Sequence, residues 1–184
     1  KDGTIVFDPY QANSVPGLNS LKLKANLVLC SHEHDDHNAR NCVEVAPKDF
    51  KVTCIETYHD HHQGSHRGKN TIHIVDFEDL KVVHMGDIGC MMDDVSKLKN
   101  CDVLMIPIGG YYTIDTKEAL KYIERIQPRI VIPMHYHSHE FGYDVLSTNE
   151  EFIQQSSSVT YVDDCLEVNK DTKKQTVVFK KPRN

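Results

Sequence analysis

The sequence predicts one layered α/β domain whose functional residues gather where strands end. Three observations carry that expectation. The length, 184 residues, suits a single domain with a sizeable core. Apolar runs of strand length recur along the chain, and helical periodicity is confined to short stretches between them. Several of these runs end in side chains competent to hold a metal: His32, His34, Asp36 and His37 after one, then His59, Asp87 and His135 after others.

Taken in order, residues 4–9 read as a strand stopped by Pro9, and residues 11–24 as a polar loop with Pro16 and Gly17. An apolar strand over 25–31 delivers the cluster at 32–37, and a short helix is expected over 38–43. Residues 50–57 alternate with period two, as a half-buried strand does. Strands follow over 71–77, 80–85 and 102–108. Residues 115–127 form the clearest helix. Asp115 and Glu118 have capping-box spacing, Ala119, Leu120, Ile123 and Ile126 make one apolar stripe, and Pro128 ends it. A buried strand over 129–134 delivers His135. A second helix from Thr148 through Gln155 and strands near 159–162 and 176–179 complete the chain.

Composition narrows the function. A net charge of -6 argues against a sequence-independent nucleic-acid binder, which needs a basic surface. No stretch is long and apolar enough to cross a membrane. Six cysteines are scattered without a CxxC, and Cys30 and Cys54 lie in apolar runs. They read as small buried hydrophobes kept reduced, and so as a cytoplasmic protein.

Three imidazoles and three carboxylates fall within residues 32–37. Neutral imidazole and carboxylate suit borderline and hard divalent metals. In an extended segment His32 and His34 share a face, so both rings can reach one ion, while Asp36 and His37 reach a second. His59 follows its strand directly, with His61 its competitor for the same role. Asp60 reads equally as an acceptor orienting a liganding ring or as an ordinary loop aspartate. Asp87, directly after Gly86, reads as an ordinary turn aspartate or, with the other ligands present, as a carboxylate able to bridge two cations. Arg67 reads as a solvated arginine or, beside a metal pair, as a holder of an anionic substrate. The glycines of Gly109-Gly110-Tyr111-Tyr112-Thr113 either make a plain strand-to-helix turn or admit close backbone approach to a ligand. His73 and His84 lie within strands and read as packed.

These residues resemble the metallo-β-lactamase superfamily: His32-x-His34-x-Asp36-His37, a later single His, Gly86-Asp87 and a last strand-end His. Phe7-Asp8-Pro9, Tyr58-His59-Asp60, Arg67-Gly68-x-Asn70, Pro107-x-Gly109-Gly110-x-Tyr112-Thr113 and Pro133-Met134-His135-Tyr136 are similar to a branch of metal-dependent hydrolases related to ascorbate-6-phosphate lactonase. The resemblance implies a four-layer αββα sandwich. It implies that His32, His34 and His59 hold one metal, that Asp36, His37 and His135 hold the other, and that Asp87 bridges. Family members carry a β-hairpin ahead of the Phe-Asp-Pro strand, and Lys1 is too close to it for one here. Losing that hairpin bares a sheet edge, so an N-terminally extended chain is expected to melt higher; equal melting temperatures would contradict this.

The expected activity is hydrolysis of a lactone, ester or phosphoester by a hydroxide bridging two divalent ions, with Asp36 relaying the proton. Zinc suits the histidine-rich set, and manganese, iron or nickel are compatible. A small-molecule substrate, anionic in one reading, is the expected partner, with no nucleic acid; a homo-oligomer is open. The rival readings are a phosphodiesterase or nuclease of the same fold, and a non-hydrolytic di-iron redox or metal-binding protein. Asp60, Arg67 and Tyr112 complete the candidate residues around the metal set.

Overall fold

A computed structural model describes residues 3–180. Its backbone is a seven-stranded mixed sheet in the order β10-β11-β9-β8-β7-β6-β5, with two small parallel pairs, β1-β3 and β2-β4. The strands are β1 Ile5–Phe7, β2 Leu23–Ala25, β3 Leu27–Leu29, β4 Val43–Val45, β5 Lys51–Tyr58, β6 Lys69–Phe77, β7 Leu80–His84, β8 Val103–Pro107, β9 Ile130–Met134, β10 Val159–Val162 and β11 Gln175–Phe179. Two helices, α1 Thr116–Ile126 and α2 Glu150–Gln155, complete it.

Strand direction explains where the polar clusters meet. β7, β8 and β9 are mutually parallel, and β5 runs the same way because it is antiparallel to β6, itself antiparallel to β7. Their C-terminal ends therefore share one edge, which carries His59, Asp87, Gly109 and His135.

The two faces of the large sheet are covered differently. Ile72, Ile74, Val83, Leu104, Ile106 and Val131 face α1, which buries Ala119, Tyr122 and Ile126 against them. These helix positions recur at three and four residues, so they lie on one side. Each large side chain fully buried there is worth about 1.5–3 kcal/mol. The capping box forms as the spacing predicts: Glu118 N–H donates to the Asp115 carboxylate at 2.9 Å, and Asp115 N–H to the Glu118 carboxylate at 3.2 Å. Tyr122 was not in the predicted stripe. Its hydroxyl donates to Cys90 O at 2.8 Å and accepts from Met92 N–H at 2.7 Å, so a buried polar tip is satisfied. On the opposite face Phe7 of β1 stacks on His84 with ring centroids 4.9 Å apart.

Four expectations are corrected. The strand over 25–31 is two strands, and Asn26 separates them. Its amide donates to Ala46 O at 2.7 Å and accepts from Thr4 N–H at 2.9 Å, handing the chain from β4 to β1. The helix over 38–43 is a 3₁₀ turn, Arg40–Cys42, running into β4. The second helix starts at Glu150 with no side-chain cap, and Thr148 instead bridges to His137. Cys54 is exposed because β5 is the sheet's edge strand; all six cysteines are free thiols, and of these Cys101 alone is fully buried. Among the described residues no helix is long and apolar enough to cross a membrane.

Candidate metal centre

The site is set up from behind by one carboxylate. Asp8 follows β1, and its two oxygens accept from Ser31 N–H and Ser31 Oγ, both at 2.6 Å. His37 Nδ1 lies 3.1 Å from the same carboxylate. The Ser31 hydroxyl proton is thus committed to Asp8, so His32 Nδ1, 2.9 Å from Ser31 Oγ, must donate. His59 Nδ1 donates to Tyr112 O at 3.1 Å. In all three rings Nδ1 carries a proton and Nε2 is left to face the centre, the arrangement that presents Nε2 to a metal. Against the pull of burial, Asp87 and Asp8 hold the His37 imidazole well above its ordinary value, so a metal would displace its Nε2 proton. Burial pulls the Asp8 carboxyl up, but the His37 hydrogen bond and nearby imidazoles outweigh it and bring it to about 2.

Asp87 is aimed by Asn70. The buried Asn70 amide donates to Thr57 Oγ1 and Met85 O, each at 2.9 Å, and its oxygen accepts from Asp87 N–H at 2.8 Å. Gly86 turns the chain at φ +56°, and a Cβ there would sit 2.4 Å from the Asn70 oxygen. His135 also adopts a left-handed backbone, φ +53°. Its carbonyl presses on Gly109, where a Cβ would meet it at 2.1 Å. The Gly109 turn therefore admits close backbone approach, but to His135 rather than to a ligand. Gly109→Ala is expected to displace His135 and weaken metal retention by at least about 10-fold, read by competition with a chelator; retention equal to wild type would contradict this.

All these side chains converge. Asp87 Oδ2 lies 3.1 Å from His135 Nε2, 3.3 Å from both His37 Nε2 and His59 Nε2, and 3.9 Å from His32 Nε2. Asp36 Oδ2 is 3.6 Å from His37 Nε2. Three groups of potential donor atoms each fall within 4.8 Å: His32, His34 and His59; His32, Asp36 and His37; His37, Asp87 and His135. His32 Nε2 and Asp87 Oδ1 are buried with no hydrogen-bond partner. Stranded lone pairs of this kind are costly unless a cation takes them. Desolvation holds His32 down to about 3, against the pull of Asp87. Burial opposes charge on Asp87 too, yet His135 and His37 hold it well below the ordinary carboxylate range. Residues and donor chemistry fit divalent cations.

The seven side chains predicted as ligands, His32, His34, Asp36, His37, His59, Asp87 and His135, come together. His61 does not; it lies 3.7 Å from Glu118. His62 and His66 stack on each other away from the centre. His84 is packed and accepts from Gly86 N–H at 3.2 Å, which leaves it no lone pair for a metal. Glu33 turns outward to Arg40, and Asp35 to Gln11.

Asp60 orients no ring. Its buried carboxylate accepts four backbone N–H groups, from His62, Gly64, His66 and Arg67, at 2.7–3.1 Å. Burial pushes this carboxyl up, but the four donors outweigh it and bring it down to about 2. Asp60 thereby folds the 61–68 loop and sets Arg67, whose guanidinium lies over the Tyr112 ring at 5.2 Å and the Tyr111 ring at 6.0 Å. Asp8, Ser31 and Asn70 were not picked out individually from the residues. The signal for Asp8 was present: a carboxylate at the end of a short apolar strand, as at the other positions.

A seven-stranded mixed sheet with histidines and aspartates gathered on its strand-end edge defines a metallo-β-lactamase fold. The model of the β-lactamase superfamily domain matches residues 1–135, and the chain belongs to that superfamily, among its metal-dependent hydrolases. A UPF0173 metal-dependent hydrolase of Natranaerobius thermophilus is 30% identical, over 74% of this chain and 77% of the relative. One from Staphylothermus marinus is 28% identical, over 73% and 74% respectively. A crystal structure from Thermotoga maritima, of a candidate Zn-dependent hydrolase of the same superfamily, superimposes with a TM-score of 0.74 at 27% identity, covering 97% of this chain and 90% of that one.

Proposed function

We propose that this metal-dependent hydrolase works with two divalent ions, zinc in the first instance, on a small lactone, ester or phosphoester. The observation that carries the reading is the convergence of four imidazole Nε2 atoms on one oxygen of Asp87, with His34 and Asp36 at either side. His32, His34 and His59 would hold one ion, Asp36, His37 and His135 the other, and Asp87 both. Such a pair supplies, when bound, an acidified water as nucleophile and a Lewis acid for the electrophilic oxygen. The chain's own residues do the rest. Asp8 and Ser31 fix the tautomers of His32 and His37, and Tyr112 O fixes that of His59. Asp36, partly exposed to the site's cavity, accepts the proton of the attacking water and passes it on. The name of the Thermotoga maritima relative supports zinc, and the imidazole-rich donor set agrees with it.

The test is reconstitution. The protein is stripped with a strong chelator, loaded separately with zinc, manganese, iron or nickel, and screened against lactones, esters, thioesters and phosphodiesters. Turnover of at least one class is expected, lost on stripping and restored by metal. Equal turnover by stripped protein, or none from any loaded form, would overturn the reading. A coloured iron form whose turnover needs O₂ would favour the redox alternative instead.

A further inference from the structure

Two cavities of different character open onto the candidate metal centre. Asp36, Asp87, His135 and Tyr143 line both. The first, of about 270 Å³, is polar and is closed by His34, His59, Tyr112 and Arg67. The second, of about 300 Å³, is walled by Tyr10, Val15, Leu18, Met134, Phe141 and Leu146. Each is near the lower end of the volumes typical of small-molecule sites, so each suits one half of a small substrate.

Arg67 is the unspent charge of the polar cavity. No carboxylate among the described residues pairs with its guanidinium. The backbone of Arg67 is fixed by its N–H bond to Asp60 at 2.7 Å, and the guanidinium lies over the Tyr112 and Tyr111 rings. A preset, unpaired guanidinium facing a cavity is built for a bidentate anion. The apolar cavity is roofed by the loops around Val15 and Phe141, tied by Gly142 N–H to Pro16 O at 3.0 Å and by the Tyr143 hydroxyl to Ser14 O. The side chains these loops turn into the cavity, Val15, Leu18, Phe141, Tyr143 and Leu146, are uncharged, while Asp8, Asp36, His37, His84, Asp87 and His135 line its side towards the metal centre, so the roof suits a hydrocarbon group.

We infer that the centre takes an unsymmetrical anionic ester, with an apolar acyl half under the 14–18 and 141–146 loops and an alcohol half whose carboxylate or phosphate meets Arg67. This rests on the hydrolase reading above and names the substrate class within it. In the reaction, water adds its oxygen to the acyl carbon and the acyl C–O bond breaks. The acyl half leaves as a carboxylate, the other half as an alcohol, and one proton is released, with Asp36 as its first acceptor.

Binding and turnover are measured separately on the metal-loaded protein. Non-hydrolysable 3- and 4-acylamidobenzoates, with acyl chains from acetyl to hexanoyl, are titrated by calorimetry against their neutral methyl esters. The corresponding acyloxybenzoates and their methyl esters are assayed for turnover. The anionic amides are expected to bind on the order of 10–100-fold tighter than the neutral ones, and affinity should rise up to about fourfold per added methylene. In Arg67→Ala the anionic-to-neutral ratio should collapse towards one, with partial recovery in Arg67→Lys. Val15→Trp should flatten the chain-length dependence and keep the anion preference. Equal binding of anionic and neutral probes, no binding of either, or an anion preference surviving in Arg67→Ala would overturn the inference. Turnover of neutral esters with no anion preference would sink the inference alone. Selective binding with no turnover of any ester would sink the hydrolase reading alone.

Discussion

Replacing Asp87 with alanine is expected to leave the protein at least about 100-fold less active and to remove at least one ion per chain. The magnitude follows from position. Losing a residue that only orients a ligand costs about 10–100-fold, and Asp87 lies inside the ring of candidate donors, with one oxygen 3.1–3.3 Å from three Nε2 atoms. It is the only carboxylate in the His37, Asp87 and His135 group. Its removal leaves the imidazoles around a cavity without the negative charge that favours cation entry. Asp87→Asn keeps the shape and the Asn70 contact to the backbone but not the charge, and is expected to behave nearly as badly. Metal analysis alongside kcat/KM checks both. Two ions still bound to Asp87→Ala would reject a shared ligand.

Replacing Asp8 has the second largest expected effect, although Asp8 touches no proposed ion. Its carboxylate holds Ser31 at both N–H and hydroxyl and holds His37 directly, and through Ser31 it fixes His32. One substitution therefore loosens rings in all three donor groups. Asp8→Asn is expected to weaken metal binding by about 10–100-fold, measured by chelator competition. In the metal-free protein Asp8 also makes stability depend on pH. Its folded carboxyl sits at about 2 rather than the ordinary 3.8. A depressed carboxyl stabilises the fold above the ordinary value, and that contribution fades as the pH falls towards 2. The gain is on the order of 2 kcal/mol for a shift of this size. Urea midpoints of wild type and Asp8→Asn should therefore differ most near about pH 5 and draw together towards about pH 2. A constant gap would show that Asp8 acts by shape alone.

Much of this site was legible because its parts are local and chemically unusual. A buried strand needs only a run of apolar residues, and dense histidine and aspartate at its end has few uses other than metal. The sheet's parallel order then carries His59, Asp87 and His135 to the same edge, from positions far apart in the chain. What was not legible depends on partners distant in sequence. Asn26 breaks a strand through bonds to Thr4 and Ala46, and nothing in its own neighbourhood shows this. Asp60 looks like any loop aspartate until its loop closes around it. Tyr122 breaks the apolar stripe of α1 only for a reader who cannot see Cys90 and Met92 waiting for its hydroxyl. Cys54 reads as buried because alternation gives the strand but not its place at the sheet's edge.

The central claim is that imidazole Nε2 atoms, with the buried Asp87 between them, form a two-ion centre. Its most direct test is equilibrium dialysis of chelator-stripped protein against zinc, with the melting temperature followed across the titration. Two ions per chain are expected, with melting rising as they bind, since a ligand at about 100 times its dissociation constant adds about 2.7 kcal/mol. Fewer than one ion per chain, or uptake that leaves the melting temperature unchanged, would contradict it.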